Sequence, residues 1–506
     1  MAERLTSVFP PTSMTDDTAD VSPLRVFDAV KALAFIGDLS MGQPTDHSPR
    51  TAWLAARLAQ AARLDAPTLD AVRETALLRW SGCTANAAGF ADVFGDDIQI
   101  RVAMLEGGSD WAAPLQSLGG AAAVLSPLAQ IHCEVAGEVA RMLGLPRATE
   151  TVLRHIFETW DGGGLPAHLA REAVPAPVFV VALAGDLEIF SRTYGVEQAL
   201  GLLAQRADAR YPRQLVEIAA RHALRWLQEL EHASPTDLDA ALTTPHMEQA
   251  TSAELIADVI DLKLPWMTGF SRAVAATAAR CCERLTTDKA AHARVYRAGL
   301  IHGIGRAAVP NGIWNLNTRL PESAWEKVRL APYWTSRAGK QAGALHDAAE
   351  LASYAYERLD GSGYFRGVSA AALTPEARVL AASVAWVALR SARPWRAALG
   401  AEAAAQALRA EVQAGRLCGE AVDALLAEGA PAVKRPVSAA EPRARLSARE
   451  IDVLRAISRG ASNKEAAREL TLSPSTVRTH VESVFRKLEC STRAAATLKA
   501  SAMGLL

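Results

Sequence analysis

Residues 443–506 carry twelve lysines and arginines against six aspartates and glutamates. The remaining residues of the 506 are acidic by seven charges, so the near-neutral total hides two parts of opposite sign. A basic module on an acidic body points to a polyanion that meets the module alone. Ser447-Ala448-Arg449-Glu450 is a capping box, and Ile451, Leu454 and Ile457 follow it at helical spacing. Gly460 suits a left-handed cap. Residues 463–470 read as a second helix with Ala466, Ala467 and Leu470 inward. Ser473-Pro474 opens a third, serine at the N-cap and proline at the first helical position, and Val477, Val481, Val484 and Leu488 line its buried side. Two short helices joined by a tight turn, the second capped and basic, fit a helix-turn-helix.

The string LSAREIDVLRAISRGASNKEAARELTLSPSTVRTHVESVFRKLECSTR resembles the LuxR/NarL-type output domain over its whole length. The match includes Glu450, Leu454, Gly460, Asn463, Glu465, Ala467, Leu470, Ser473, Thr476, Val477, His480, Lys487 and Leu488. The resemblance implies a recognition helix at about 474–488, with Arg478, Thr479 and Glu482 facing base edges. Arginine can read guanine bidentately, and a threonine methyl can touch that of thymine. Lys464, Thr476 and Lys487 would contact phosphates, which fix register without reading sequence. In the family the last helix, here about 494–502, pairs two copies on DNA. Ala494, Leu498 and Ala502 stand four apart there and offer a small-residue face for close packing.

The elements ahead of this module are long and alanine-rich. Half of the chain is hydrophobic, which with abundant alanine, leucine and arginine favours helices. The domain boundaries expected are a disordered lead at 1–22, a helical body at 23–232, a linker at 233–251, a second body at 252–428, a linker at 429–443, and the DNA-binding module at 444–506. The two bodies read as a diverged repeat. Residues 160–166 (WDGGGLP) match 359–365 (LDGSGYF), and upstream LLRWSG at 77–82 matches LIHGIG at 300–305. An Asp-Gly-x-Gly turn after a helix has a local reason, since Asp caps and Gly supplies positive φ.

The second body resembles an HD-GYP domain, a helical metal-dependent phosphodiesterase fold that cleaves cyclic dinucleotides. The likeness runs over 269–427 and rests on GLIHGIGRAAVPNGIWN, LPESAWEKVRLAP, YERLDGSGYFRG and RVLAASVAWVALRSARPWRAAL. The resemblance implies His and Asp ligands around two or three metals that activate a bridging water. This chain departs from that pattern. The first His position holds Phe270 or Ser271, the His-Asp pair reads His302-Gly303, and the following lysine is Arg306. The next His is Ala331, the paired histidines are Ala355-Tyr356, the late Asp is Val384, and Gly-Tyr-Pro reads Gly363-Tyr364-Phe365. The first body is a weaker relative over 25–230. There His47, His132 and Asp186 fit three ligand positions, while Arg79-Trp80 and Ile156-Phe157 replace the pairs. Those three are open to two readings, an inherited hydrogen-bonded cluster or a single structural metal.

The resulting expectation is an all-α chain: tandem HD-GYP-like domains followed by a LuxR-type helix-turn-helix. It is expected to be a homodimeric, cytoplasmic transcription regulator of double-stranded DNA, without catalytic activity or cofactor. The bodies would sense a small-molecule effector, with Arg358, Asp360 and Tyr364 as candidate ligand contacts, or serve as a dimerisation scaffold. The alternative is a metal-dependent cyclic-dinucleotide phosphodiesterase or phosphohydrolase with a DNA-binding tail. No apolar run approaches the roughly 20 residues of a membrane span, and no signal peptide is legible. The six cysteines, at 83, 133, 281, 282, 418 and 490, show no CxxC pair and read as reduced thiols.

Overall fold

The computed structural model describes residues 24–107, 111–427 and 446–506. The expected lead at 1–22 and the expected linker at 429–443 lie outside these residues. The fold is all-α. The one sheet among the described residues pairs Leu24–Arg25 antiparallel with Ala250–Thr251. That pairing runs through the segment expected as a linker at 233–251. In place of a loose connection, the segment forms the helix Pro235–Leu242, whose N-cap Ser234 makes a capping box with Asp237. Lys31 Nζ holds Asp239 at 2.6 Å and ties this helix back to the first body.

The helix Val26–Ser40 is buried along nearly its whole length. It packs on the first body's helices and also on the segments Ile304–Ala308 and Ala331–Gln341 of the second. One continuous apolar cluster therefore runs through both bodies. A buried ion pair closes the seam. Lys263 Nζ lies 3.1 Å from Asp97 Oδ2, and both side chains have no exposure. The other oxygen of Asp97 accepts the Asn311 amide at 2.7 Å, and Asn311 Nδ2 donates to the Lys263 carbonyl at 2.7 Å. A charge pair stripped of water is tolerable only when its remaining lone pairs and protons are also satisfied.

The duplication is visible in hydrogen bonds. Asp38 accepts from the Ser48 amide at 3.0 Å and its hydroxyl at 2.6 Å. Asp261 accepts from the Ser271 amide at 2.8 Å and its hydroxyl at 2.7 Å. Each brace joins consecutive helices ten residues apart in sequence. The two Asp-Gly turns also agree: Asp161 accepts the Gly163 amide, and Asp360 the Ser362 amide. Gly164 and Gly363 each lie against the backbone of the glutamate six residues earlier, Glu158 and Glu357, where any Cβ would collide.

The last four helices are Ala448–Ser458, Asn463–Leu470, Pro474–Leu488 and Arg493–Ala502. They close a separate small core around Val453, Leu454, Val477, Val484 and Ala496. The capping box at Ser447 and Glu450 is present, and a second one joins Ser462 and Glu465. Gly460 adopts φ 92°, the left-handed conformation its position requires. All six cysteines are free thiols.

Candidate nucleic-acid interface and the centres of the two bodies

The third helix of the terminal domain divides its faces by period. Val477, Val481, Val484 and Leu488 are buried, which turns Arg478, Thr479 and Glu482 outward. Arg478 Nε lies 2.9 Å from Glu482 Oε1, with both side chains mostly exposed, so the pair can open to meet base edges. Lys464 is exposed on the preceding helix. Thr476 closes the helix start, with its amide and hydroxyl on Ser473 Oγ. Lys487 is placed differently from a free phosphate contact. Its ammonium sits 2.7 Å from Glu450 Oε2, and Ser483 Oγ donates to the other oxygen at 2.7 Å. Burial opposes ionisation of Glu450, yet the Lys487 ammonium and the two serines hold its pKa down to about 2.

The opposite side of this domain is seated on the bodies. The Ser491 amide and hydroxyl donate to the Glu134 carboxylate at 2.5 and 3.0 Å. Lys499 Nζ lies 3.1 Å from Glu138. Ser501 Oγ donates to Asp258 at 2.6 Å, and Thr268 Oγ1 to the Ser458 carbonyl at 2.7 Å. Ala495 and Leu498 of the final helix join the apolar cluster of the bodies, while Ala496 and Ala500 belong to its own domain. Of the face expected to pair two copies, Leu498 is buried within this chain, Ala494 is partly buried and Ala502 is exposed.

In the second body, His302 donates from Nδ1 to the Gly299 carbonyl at 2.6 Å. Its Nε2 faces Arg306 Nη2 at 2.7 Å. Burial first, and then Arg306, hold the imidazole neutral, so the lone pair that could take a metal accepts from a guanidinium instead. Arg306 also reaches Asp261 Oδ1 at 3.4 Å and the Tyr356 hydroxyl at 3.3 Å. Tyr356 stacks on Tyr364 with ring centres 5.2 Å apart. Of the three expected ligand contacts, Tyr364 alone adjoins this centre. Arg358 turns back to the Glu357 carbonyl, and Asp360 is occupied by its turn at Ser362. Sequence reading missed Arg393, whose guanidinium lies 4.7 Å from the ring centres of both Trp266 and Phe270. Its signal was the basic Arg-Pro-Trp-Arg run directly after a long helix.

In the first body, His47, His132 and Asp186 are not brought together. His47 Nδ1 lies 2.5 Å from Glu188. His132 Nε2 donates to the Arg79 carbonyl at 2.8 Å, and burial lowers its pKa to about 3. Asp186 takes Tyr211 and two arginines. Trp80, Cys83 and Met41 fill the space beside His132 with sulfur and ring carbon. Among the described residues no three His, Cys, Asp or Glu side chains converge on one point. The side chains at both centres therefore do not fit the metal cluster that the fold resemblance implies.

Comparison with known proteins follows the same division. Residues 254–417 match the family model described as HD domain, and residues 444–500 match "Bacterial regulatory proteins, luxR family". The chain is 25% identical over 433 residues to 3'3'-cGAMP-specific phosphodiesterase 3 of Vibrio cholerae, which covers 76% of this chain and 90% of that protein. It is 36% identical over 95 residues to the nitrate/nitrite response regulator protein NarP of Escherichia coli, 18% of this chain and 41% of the relative. A crystal structure of a cyclic GMP-AMP specific phosphodiesterase of V. cholerae shares the fold at a TM-score of 0.58 and 22% identity, covering 80% of this chain and 97% of that one. The expectation of a chain that is no enzyme is corrected by these findings. A relative aligned over 76% of the chain is by name a phosphodiesterase, and this points to enzyme activity. Substituted ligand positions say which side chains a centre lacks, and do not by themselves say what chemistry the whole fold performs. No helix among the described residues is long and apolar enough to cross a membrane. The chain carries an HD domain at 254–417 and a LuxR-type helix-turn-helix DNA-binding domain at 444–500.

Proposed function

We propose that the chain is a DNA-binding transcription regulator whose tandem helical bodies take a cyclic dinucleotide as input. The observation that carries this reading is a terminal domain with two occupied roles. Its recognition helix presents Arg478, Thr479 and Glu482 to solvent, while Ser491 and the final helix after it are seated on both bodies through Glu134, Glu138 and Asp258. An event in the bodies that shifts these carboxylates would reach the DNA-binding domain without an intermediary. The dinucleotide class comes from the V. cholerae relative, named for 3'3'-cGAMP. A homodimer fits the reading, because one recognition helix covers one half-site and two copies read a palindrome. Pairing through the final helix then requires Leu498 to leave its seat.

Fluorescence anisotropy of the full chain on an enriched duplex, with and without 3'3'-cGAMP, tests the proposal. A change of several-fold in operator affinity supports it. Unchanged DNA affinity at saturating dinucleotide rejects the input assignment. The likeness to a phosphodiesterase over 76% of the chain favours a second reading, in which the bodies cleave the dinucleotide and the tail targets them to DNA. Appearance of linear product that is lost in His302→Ala supports that reading, and intact dinucleotide after prolonged incubation rejects it.

A further inference from the structure

The first body holds a cavity of mixed polar and apolar lining that neither reading above employs. It has a volume of about 420 Å³. Met104, Leu105 and Trp111 line it together with Asp186, Arg206 and Arg210. Cavities of this size suit a ligand of nucleotide dimensions. Asp186 sits on the helix Ala176–Tyr194, and one of its oxygens is shared three ways. Arg206 Nη1 donates to Oδ2 at 2.9 Å, Arg210 Nε lies 3.0 Å from the same atom, and the Tyr211 hydroxyl donates to it as well. A third guanidinium stands behind. Arg79 packs against Gly185, the residue before Asp186, where any Cβ would overlap its Nη1. Arg79 is 3% exposed, and its Nη1 has no hydrogen-bond partner.

The charges do not balance. Arg79, Arg206 and Arg210 surround one carboxylate. Burial lowers the pKa of Arg79 to about 10, which leaves it cationic at neutral pH. Asp38, whose charge also acts on Arg79, is raised by burial to about 8 and stays largely protonated there. Buried charges in proteins are paired, and a walled cleft lined by one sign of charge concentrates the opposite ion. Arg206 and Arg210 are partly exposed at the cavity, and Arg206 is fixed from behind by the Phe190 ring at 4.6 Å. A half-buried indole, Trp111, lines the same cavity.

We propose that this cavity binds a phosphorylated ligand of mononucleotide size, its phosphate on Arg206 and Arg210 and its flat ring against Trp111. The site is separate from the His302 centre and does not depend on what that centre does. Guanidinium forks match phosphate oxygens bidentately, and indole offers a face to any base.

Thermal shift and calorimetry on the full chain test it, with GMP, AMP, inorganic phosphate and guanosine as probes. A nucleoside monophosphate is expected to bind and raise the melting temperature, with guanosine inert. Arg206→Gln/Arg210→Gln should weaken binding at least tenfold, and Arg210→Lys should retain part of it, which separates lost charge from lost folding. Trp111→Leu should reduce nucleotide binding to the level of phosphate alone. Absence of binding by either monophosphate overturns the site. So does equal binding by wild type and the double variant, and so does equal binding of guanosine and GMP.

Discussion

At matching points of the two bodies, the first reads Arg79-Trp80 and the second His302-Gly303. Around these points the scaffold is the same. Each body keeps an Asp–Ser brace, an Asp-Gly turn, and a glycine pressed on a carbonyl. Gly82 meets the His132 carbonyl, and Gly305 that of Ala331. What the scaffold encloses differs. The first centre is filled by Trp80, Cys83, Met41 and His132, with its arginines displaced toward Asp186. The second keeps an imidazole, but spends it on Arg306 and stacks two tyrosines beside it. Backbone approaches tolerate no side chain and so persist. Side chains that only met a ligand are free to change once that ligand changes. The duplication therefore separates residues that hold the fold from residues that choose its partner.

The largest expected effect lies at the seam that joins the bodies. Asp97→Ala leaves Lys263 buried without a counter-charge and should cost about 3–5 kcal/mol in denaturant unfolding. Asp97→Leu/Lys263→Met should cost less, because the pair goes together and Arg101, 3.7 Å from Asp97, keeps its bonds to Ser40, Cys83 and Asn86. Similar losses in both variants would mean that the seam depends on shape and not on charge.

The braces differ in their response to pH. Burial raises Asp38 to about 8, against about 6 for Asp261, where burial also dominates and Arg306 opposes it. A carboxyl whose folded pKa is raised gives stability that is present below its unfolded pKa and lost as pH rises through the folded one. The first body should therefore weaken by on the order of a few kcal/mol between pH 5 and pH 8. Asp38→Asn should flatten that fall, and Asp261→Asn should act only over its lower part. Melting curves at half-unit pH steps read both, and identical profiles for the two variants would erase the distinction between the braces.

The seat of the DNA-binding domain comes next. Glu134→Lys removes the acceptor of the Ser491 amide and hydroxyl and places a cation in its position. Operator affinity should rise by about tenfold, within the usual range of coupling between sites. Unchanged affinity would show that the seat does not restrain the domain. The smallest effect belongs to Lys487→Ala, about 0.5–1 kcal/mol of domain stability from a partly exposed ion pair with Glu450. If operator affinity falls much further than stability, Lys487 leaves Glu450 for phosphate on DNA.

Legibility in the sequence followed the range of the signals. The terminal domain was readable almost to the residue, because capping boxes, Ser-Pro starts and the valine period act within one or two turns. The same local grammar was present at Ser234-Pro235-Thr236-Asp237 and marked the helix Pro235–Leu242, though the flanking prolines suggested a linker. The repeat was legible from its Asp-Gly turns. The partners of the candidate ligands were not. His47 meets Glu188, 141 residues away, and the Lys263–Asp97 pair spans 166 residues. Nothing in local spacing encodes such contacts. The same distance explains why His47, His132 and Asp186 could be grouped on paper while the fold gives each a different partner.

The measurement closest to the central claim is specific DNA binding by the full chain. Random duplexes are enriched on the protein, and the selected sequence is titrated by anisotropy at several salt concentrations. Arg478→Ala should lose roughly 1–3 kcal/mol on the selected duplex and relax preference at one base pair. Lys464→Ala should weaken all duplexes alike and lower the salt slope by about one unit. Failure to enrich any sequence, or both variants binding with wild-type affinity and salt slope, would contradict the assignment of this chain as a DNA-reading regulator.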